Sequence, residues 1–391
     1  MAALGARLRE LGVDARVCAP PDEDFAELLA RAGVPLAPAF TPLLQWLKEA
    51  LKYAGADIRQ RAADVMRGQF DAIGAAAEGC DAIVATGLFP STAAAQSVAE
   101  KLGIRYAYAT FCPTWLPSPH HPPLPFPGYP LPADVSDNRK LWDVNIATMN
   151  ALFGEPLNSH RASIGLPQVD NVRAQVFTDH PWLAADPVLA PWQKPAELSV
   201  VQTGAWILPD ERRLPAELHR FLEAGPPPVY VGFGSMPLQS WKDAPQIVIK
   251  AIRAQGRRAI VARGWAELGL IDDRDDCFGV GEVNQQALFG RVAAVLHHGG
   301  AGTTTAATRA GAPQVVVPQI GDQPYWASRV WDLGIGAAHD GPTPTVESLS
   351  AALETALTPG IRARAAAVAG SIRIDGTSVA AKLLLAGLSS P

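Results

Sequence analysis

The stretch 292–336, VAAVLHHGGAGTTTAATRAGAPQVVVPQIGDQPYWASRVWDLGIG, constrains this chain more than any other. It opens on a short apolar run of strand length and passes through His297 and His298 into a turn holding Gly299, Gly300 and Gly302. Three threonines follow, then an alanine-rich segment that Gly311 ends. This punctuation predicts a buried strand, a glycine turn and a helix. A helix entered this way presents unpaired backbone N–H groups at its N-terminus, where the macrodipole also favours negative charge, so a phosphate is the natural guest. Glycine lets the backbone approach closely, and Thr303, Thr304 and Thr305 add hydroxyls. Neither familiar nucleotide motif fits: the lysine of GxxxxGK[ST] is absent, and Thr305 stands where GxGxxG needs its last glycine. A plain strand-to-helix connection would read the same way.

The second half of the stretch adds chemistry. PQVVVP over 313–318 predicts another buried strand, followed by Gln319, Ile320, Gly321, Asp322 and Gln323 and then a helix start at Tyr325 and Trp326. A carboxylate and an amide side by side after a strand can form several hydrogen bonds to a polyhydroxylated ligand. One loop therefore suggests a phosphate and the next a sugar.

HHGGAGT followed by DQPYW resembles the nucleotide-sugar signature of the family 1 glycosyltransferases with the two-Rossmann GT-B fold. Within them the chain is most similar to the bacterial enzymes of the vancomycin and teicoplanin type, which glycosylate glycopeptide antibiotics. The resemblance extends over EGCDAIVATG, VAEKLGI, SPHHPP, NSHRASIGLP, WLAADPVLAP, VQTGAWILPDER, PPPVYVGFGS and GEVNQQALFGRVAAV, essentially the whole sequence. It implies an α/β protein with two Rossmann-like domains facing across a cleft. The domains expected are an N-terminal acceptor-binding domain over 1–200, a connection over 201–227, a C-terminal nucleotide-sugar domain over 228–370, and a helix over 371–391 that crosses back to brace the N-terminal domain.

Composition agrees with an ordinary folded protein. At 391 residues the chain is long enough for two domains with substantial cores, and 48% hydrophobic against 18% charged residues excludes a disordered chain. The net charge of −5 gives no general basic field for nucleic acid. No apolar run reaches the length of a membrane span and no signal peptide precedes the start, so a cytoplasmic, monomeric protein without a membrane partner is expected. Cys18, Cys80, Cys112 and Cys277 lack any metal-ligand spacing and read as buried thiols.

Taken in order, residues 1–11 predict a helix and 15–19 a strand. A Rossmann half should instead open on a strand and loop that feed this first helix. The first strand and loop are therefore expected to be missing, and with them the aspartate that serves the resembling family as general base. Strands and helices then alternate: a helix over 57–78, strands over 81–86 and 104–110, and a helix over 92–102 between them. The apolar excursion 39–53, with Trp46, is core or an acceptor-side lid. The segment 111–134 carries nine prolines, Trp115 and the pair His120 and His121; proline this dense excludes a helix or a central strand and predicts a surface loop. Residues 138–164 read as helical and broken at Pro156. A second alternating set runs from the strand 229–233 through a helix over 244–254 and strands over 258–262 and 277–280 to the opening stretch, with a last helix over 377–386.

The resemblance implies an inverting transfer that needs no metal and no other cofactor, from UDP-glucose or a TDP-deoxysugar to a hydroxyl of a peptide-antibiotic aglycone. Helix N-termini would stabilise the charge growing on the departing diphosphate. Matched residue by residue, it implies donor binding by Ser235, Arg263, Trp265, Val283, Asn284, Gln286, His298, Gly300, Gly302, Thr303, Asp322 and Gln323. Acceptor binding falls to Trp46, Trp115, His120 and His121, and the two histidines also stand as auxiliary catalytic bases, since histidine titrates near neutrality. Trp265 and Trp326 read equally well as core packing, and Asp273, Asp275 and Asp276 as a solvated loop. Two other readings remain open: a nucleotide-sugar 2-epimerase, which has no need of the proline-rich loop, and a non-catalytic binding or helper protein.

Overall fold

The computed structural model describes residues 1–42, 45, 58–126, 128–194, 196–234, 243–264, 272 and 274–388. They form two compact units: Met1–Ala185, Pro191–Leu208 and Ile374–Pro391 make the first, Asp186–Ala190 and Pro209–Arg373 the second.

The first unit is built from α1 (Ala2–Glu10), β1 (Val17–Ala19), α2 (Glu23–Arg31), β2 (Leu36–Pro38), α3 (Ile58–Ala77), β3 (Ala82–Ala85), α4 (Phe89–Leu102), β4 (Arg105–Thr110), α5 (Asn138–Ser163), α6 (Val172–Phe177), β5 (Trp182–Leu183) and β6 (Val201–Gln202). All strand pairings are parallel, but they fall into two sheets: β1-β2 alone, and β3-β4-β5-β6. The two meet through side chains, with Cys18 packed beside Ile83 and Ala85, and Arg16 donating to the Glu78 carbonyl at 2.8 Å. α4 has a proline in its first turn and stops at Gly103, whose φ of 67° is the left-handed cap glycine supplies most cheaply. α5 is capped by Asp137, which accepts from the Arg139 N–H, and it runs through Pro156 without a break. The proline removes one donor, yet Leu152, Phe153, Pro156 and Leu157 are all buried, and that apolar stripe holds the helix where propensity alone predicts an end. The C-terminal helix Gly376–Leu388 packs Ala380, Ala381 and Leu384 against Leu4 and Leu8 of α1 and Trp182 of β5.

The second unit follows as α7 (Ala216–Glu223), β7 (Val229–Gly232), α8 (Ala244–Ala254), β8 (Ala259–Ala262), β9 (Cys277–Val280), α9 (Gln285–Leu288), β10 (Ala294–His297), α10 (Ala301–Arg309), β11 (Gln314–Val316), α11 (Gln323–Asp332), β12 (Gly336–Ala338), α12 (Val346–Ala356) and α13 (Pro359–Ala369). Residues 209–227, expected within a connection, carry α7 and pack with this unit through Leu218 and Leu222. Its six strands form one parallel sheet in the order β12-β11-β10-β7-β8-β9. Every residue of β7, β8, β10 and β11 is buried, as a sheet covered on both faces requires, which is why these strands read as continuous apolar runs rather than alternating ones. Strand order reverses between β7 and β10, and in such sheets ligands settle beyond the carboxyl ends at that reversal. The acidic run is no free loop: Arg253 of α8 donates to Asp272 at 2.8 Å and to Asp276 at 2.7 Å, fastening the helix to the start of β9. Asp273 lies outside the described residues.

Candidate functional site

At the reversal point, β10 ends on His297 and the chain turns through His298, Gly299 and Gly300 into α10. Gly300 is the N-cap of α10 in extended conformation, and no side chain caps that end. The first bond across the helix start runs from the Thr304 N–H to the Gly300 carbonyl, so the N–H groups of Ala301, Gly302 and Thr303 precede the helix ladder. Gly302 is exposed, and Ala301 and Thr303 are half-buried. The His298 ring lies over this end. A Cβ on Gly300 would stand 2.6 Å from His298 Nε2, and one on Gly234, beyond β7, would stand 3.4 Å from His298 Cε1. Gly264, beyond β8, would in turn bring a Cβ within 2.7 Å of the Gly234 carbonyl oxygen. Gly234 and Gly264 have φ of 54° and 50°, so both positions combine left-handed backbone with close approach. The ends of β10 and β7 thus meet at one imidazole, with the end of β8 packed behind Gly234.

Burial sets the state of that imidazole. His298 Nδ1 is buried without a hydrogen-bond partner among the described residues, and burial lowers the ring's pKa to about 4, so it is neutral near pH 7 and acts as a dipole with one N–H and one lone pair. An unpartnered buried nitrogen beside an uncapped helix N-terminus describes a receptor for an anion with several oxygens.

The loop 318–323 packs against the glycine turn: a Cβ on Gly299 would meet the Gln323 carbonyl oxygen at 3.1 Å. Asp322 is the N-cap of α11 and accepts from Trp326 Nε1 at 2.9 Å. Gln323 is buried, and its Oε1 accepts from the N–H groups of Gln319 at 2.7 Å and Ile320 at 3.1 Å, holding the loop closed. Trp326 is 1% exposed and belongs to the core, the packing alternative of the sequence reading.

Other expected donor residues take different places. Ser235 and Trp265, with Trp46 of the acceptor set, lie outside the described residues. Arg263 is exposed at the end of β8 and Gln286 is exposed on α9. Two stand in the interior. Val283 is buried with Leu218, Leu222, Leu288 and Phe289 and packs the unit's core. Asn284, also buried, has its amide committed inside the protein: Nδ2 donates to the Asp210 and Arg212 carbonyls at 2.8 and 2.7 Å, and Oδ1 caps α9 through the Ala287 N–H.

In the first unit, the loop 111–134 holds only a short 3₁₀ turn at Pro113–Trp115 and one bridge between Phe126 and Tyr129 among its described residues. Trp115 and His120 are exposed. His121 is half-buried, its Nε2 3.0 Å from the Leu116 carbonyl and its ring edge-on to Trp142 and Trp192. A carbonyl only accepts, so Nε2 carries the proton and Nδ1 is the basic nitrogen. Burial lowers the pKa of this ring, with a smaller push from His120, against the carbonyls of Leu116 and Pro113. Sequence reasoning missed its surroundings: Trp142 donates from Nε1 to the His121 carbonyl, and Arg173, buried, lies over the Trp142 ring at 5.2 Å and donates to Asn145. Nothing in the spacing of Trp142 and Trp192 signals that both meet His121, or that Arg173 lies over Trp142.

Among the described residues no group of three His, Cys, Asp or Glu side chains is placed to hold a metal ion, and no helix is long and apolar enough to cross a membrane.

Residues 274–378, which hold the glycine turn and the Asp322 loop, match the family described as erythromycin biosynthesis protein CIII-like, C-terminal domain. The whole chain is 56% identical over 389 residues to the vancomycin aglycone glucosyltransferase of Amycolatopsis orientalis, covering 94% of that relative. It is 51% identical over 395 residues to the dTDP-epi-vancosaminyltransferase of the same organism, again covering 94%. In fold it is similar to the solved structure of the glycosyltransferase of kitacinnamycin, with a TM-score of 0.72 at 20% identity over 99% of this chain and 95% of that one. The glycosyltransferase VinC, solved in complex with dTDP, gives 0.67 at 19% identity over the same shares. With full-length identity far above what chance allows, the same α/β architecture and the glycine turn in place, the chain belongs to the GT-B glycosyltransferases, in the group of the bacterial glycopeptide-antibiotic enzymes.

Proposed function

We propose that the enzyme moves a sugar from a nucleoside-diphosphate sugar, UDP-glucose or a TDP-deoxysugar, to a hydroxyl of a glycopeptide aglycone, with inversion and without a metal. The observation that supports this reading is the buried His298 Nδ1, without a partner among the described residues, beside the uncapped start of α10. The diphosphate is held by the N–H groups of Ala301, Gly302 and Thr303 and by the neutral His298 ring. The acceptor oxygen attacks the anomeric carbon as the bond from that carbon to the diphosphate oxygen breaks. Negative charge then grows on the diphosphate, where the helix N-terminus stabilises it without any reorganisation. Asp322 accepts from Trp326 Nε1, which fixes its carboxylate beside the glycine turn as a group that binds sugar hydroxyls. The acceptor proton passes to a base, a role assigned to His121, whose ring burial keeps neutral and so able to accept it.

Calorimetric titration with UDP-glucose and with TDP-sugars tests the donor half. The wild type binds at least one of them. His298→Ala and Asp322→Asn lower its affinity by about tenfold or more, the scale of a hydrogen bond to a charged group. Unchanged binding in both variants overturns the assignment.

A further inference from the structure

The two histidines that look alike in sequence face opposite ways. His298 lies over the start of α10, whereas His297 is wholly buried behind it. The Gly299 N–H donates to His297 Nδ1 at 3.1 Å, and His297 Nε2 stands 3.0 Å from Gln314 Oε1 on the neighbouring strand β11. Because Nδ1 receives a proton donor, the ring is the Nε2–H tautomer and donates to Gln314. The chain continues: Gln314 Nε2 donates to Thr308 Oγ1 at 2.9 Å, and Thr308 Oγ1 donates to the Thr304 carbonyl at 2.8 Å. Thr304 Oγ1 and its own N–H both donate to the Gly300 carbonyl at 2.9 Å. The path therefore leaves the turn at the Gly299 N–H and returns to it at the Gly300 carbonyl.

Every side chain on that path is buried: His297, Gln314 and Thr304 are 0% exposed and Thr308 is 1%. Four polar side chains buried between a parallel sheet and the helix that covers it are costly unless each is satisfied, and an apolar residue would fill each position without that cost. Here each donor has an acceptor, and the path grips the backbone on both sides of the one peptide, Gly299 to Gly300, that aims α10 at its guest. Gly299 itself has a φ of 93°, with Val316 and Gln323 close on the side where a Cβ would stand, so the turn has no side chain of its own to hold it. We infer that His297 is a positioning residue which, with Gln314, Thr308 and Thr304, closes a hydrogen-bond ring behind the glycine turn and presets the N–H groups that receive the diphosphate. This rests on the reading that a nucleoside diphosphate binds at α10, and it assigns the members of the histidine pair separate tasks: His298 meets the ligand, His297 shapes the turn.

Two measurements on the full-length chain test it. Long-range nitrogen–proton NMR of the ¹⁵N-histidine protein should show His297 as the Nε2–H tautomer, with a ring proton in slow exchange; an Nδ1–H tautomer or fast exchange overturns the ring whatever the ligand is. Calorimetry then compares UDP and TDP with uridine and thymidine. His297→Leu removes both hydrogen bonds, and Thr308→Val breaks the ring at a place remote from the turn. Each should weaken the diphosphate by about fivefold to fiftyfold, the range of one lost buried hydrogen bond, while the affinity of any nucleoside that binds changes little. His297→Asn, whose carbonyl oxygen can accept the N–H two residues on, should recover most of the loss from His297→Leu. Equal weakening of diphosphate and nucleoside marks a general structural defect and overturns the proposal, as does unchanged diphosphate affinity in both variants. Should His297→Leu fail to fold, Thr308→Val, a near-isosteric change, decides alone. Loss of diphosphate binding in His298→Ala with none in Thr308→Val leaves the donor reading standing and removes this one; no nucleoside diphosphate bound by the wild type removes both.

Discussion

The buried histidine makes stability depend on pH with a sign and size that follow from its surroundings. Burial, with a smaller contribution from the neighbouring His298, lowers the His297 pKa from 6.5 to about 3. In the unfolded chain the ring takes a proton as pH falls below 6.5; in the folded chain it stays neutral until about pH 3. Its contribution is therefore constant above pH 6.5 and becomes progressively unfavourable to folding below that, because the unfolded state binds more protons. Each pH unit is worth about 1.4 kcal/mol per proton, so at pH 5, about 1.5 units down, the fold loses roughly 2 kcal/mol through His297. His298, lowered to about 4 by burial, adds a further loss in the same direction, reduced by its partial access to solvent. Comparing the wild type with His297→Leu isolates the first amount, since carboxylates and His298 titrate in both. Urea unfolding at pH 8 and pH 5 should show the variant less stable at pH 8 yet losing about 2 kcal/mol less than the wild type between the two. Equal losses would show that the ring is solvated or charged in the folded state and would refute the account of the site's interior.

Gly264→Ala should reduce stability by about 1 kcal/mol or more and weaken donor binding, because the position combines a φ of 50° with a 2.7 Å approach to the Gly234 carbonyl; thermal melts with and without nucleotide sugar read both effects. His121→Ala should lower turnover by about a hundredfold while donor affinity stays the same, the signature of a lost general base, and kcat compared with the donor Kd checks it. Arg253→Met should leave Asp272 and Asp276 without their shared cation and lower the melting temperature, less so in high salt; the arginine holds both carboxyls below their ordinary range, so the deficit should shrink as pH falls toward them.

Much of the second unit is legible in the sequence, for a physical reason. Its strands are covered on both faces, so VYVG, AIVA and QVV stand out as unbroken apolar runs, and glycines mark the strand ends that approach one another. The helix of α8 is read residue for residue, because Asp243, a proline in its first turn and a strong apolar face agree. The first unit is harder. β5 and β6 are two residues each, too short to carry a period, and β2 ends on a proline. Pro156 signals a break that packing overrides, and Val283 and Asn284 look available from sequence but are taken up by the core and by α9. Least legible is the division within the histidine pair. Burial of all four residues of β10 removes the alternation that would tell an inward side chain from an outward one, so only the partners, Gln314 for one and none among the described residues for His298 Nδ1, separate their roles.

The most direct test of the central claim is the product. Incubating the protein with UDP-glucose or TDP-sugars and a set of glycopeptide aglycones, then weighing the products and analysing the sugar, should show an aglycone heavier by one sugar residue, joined with inverted anomeric configuration. An isomerised nucleotide sugar with no change in the aglycone, or no change in either, would contradict it.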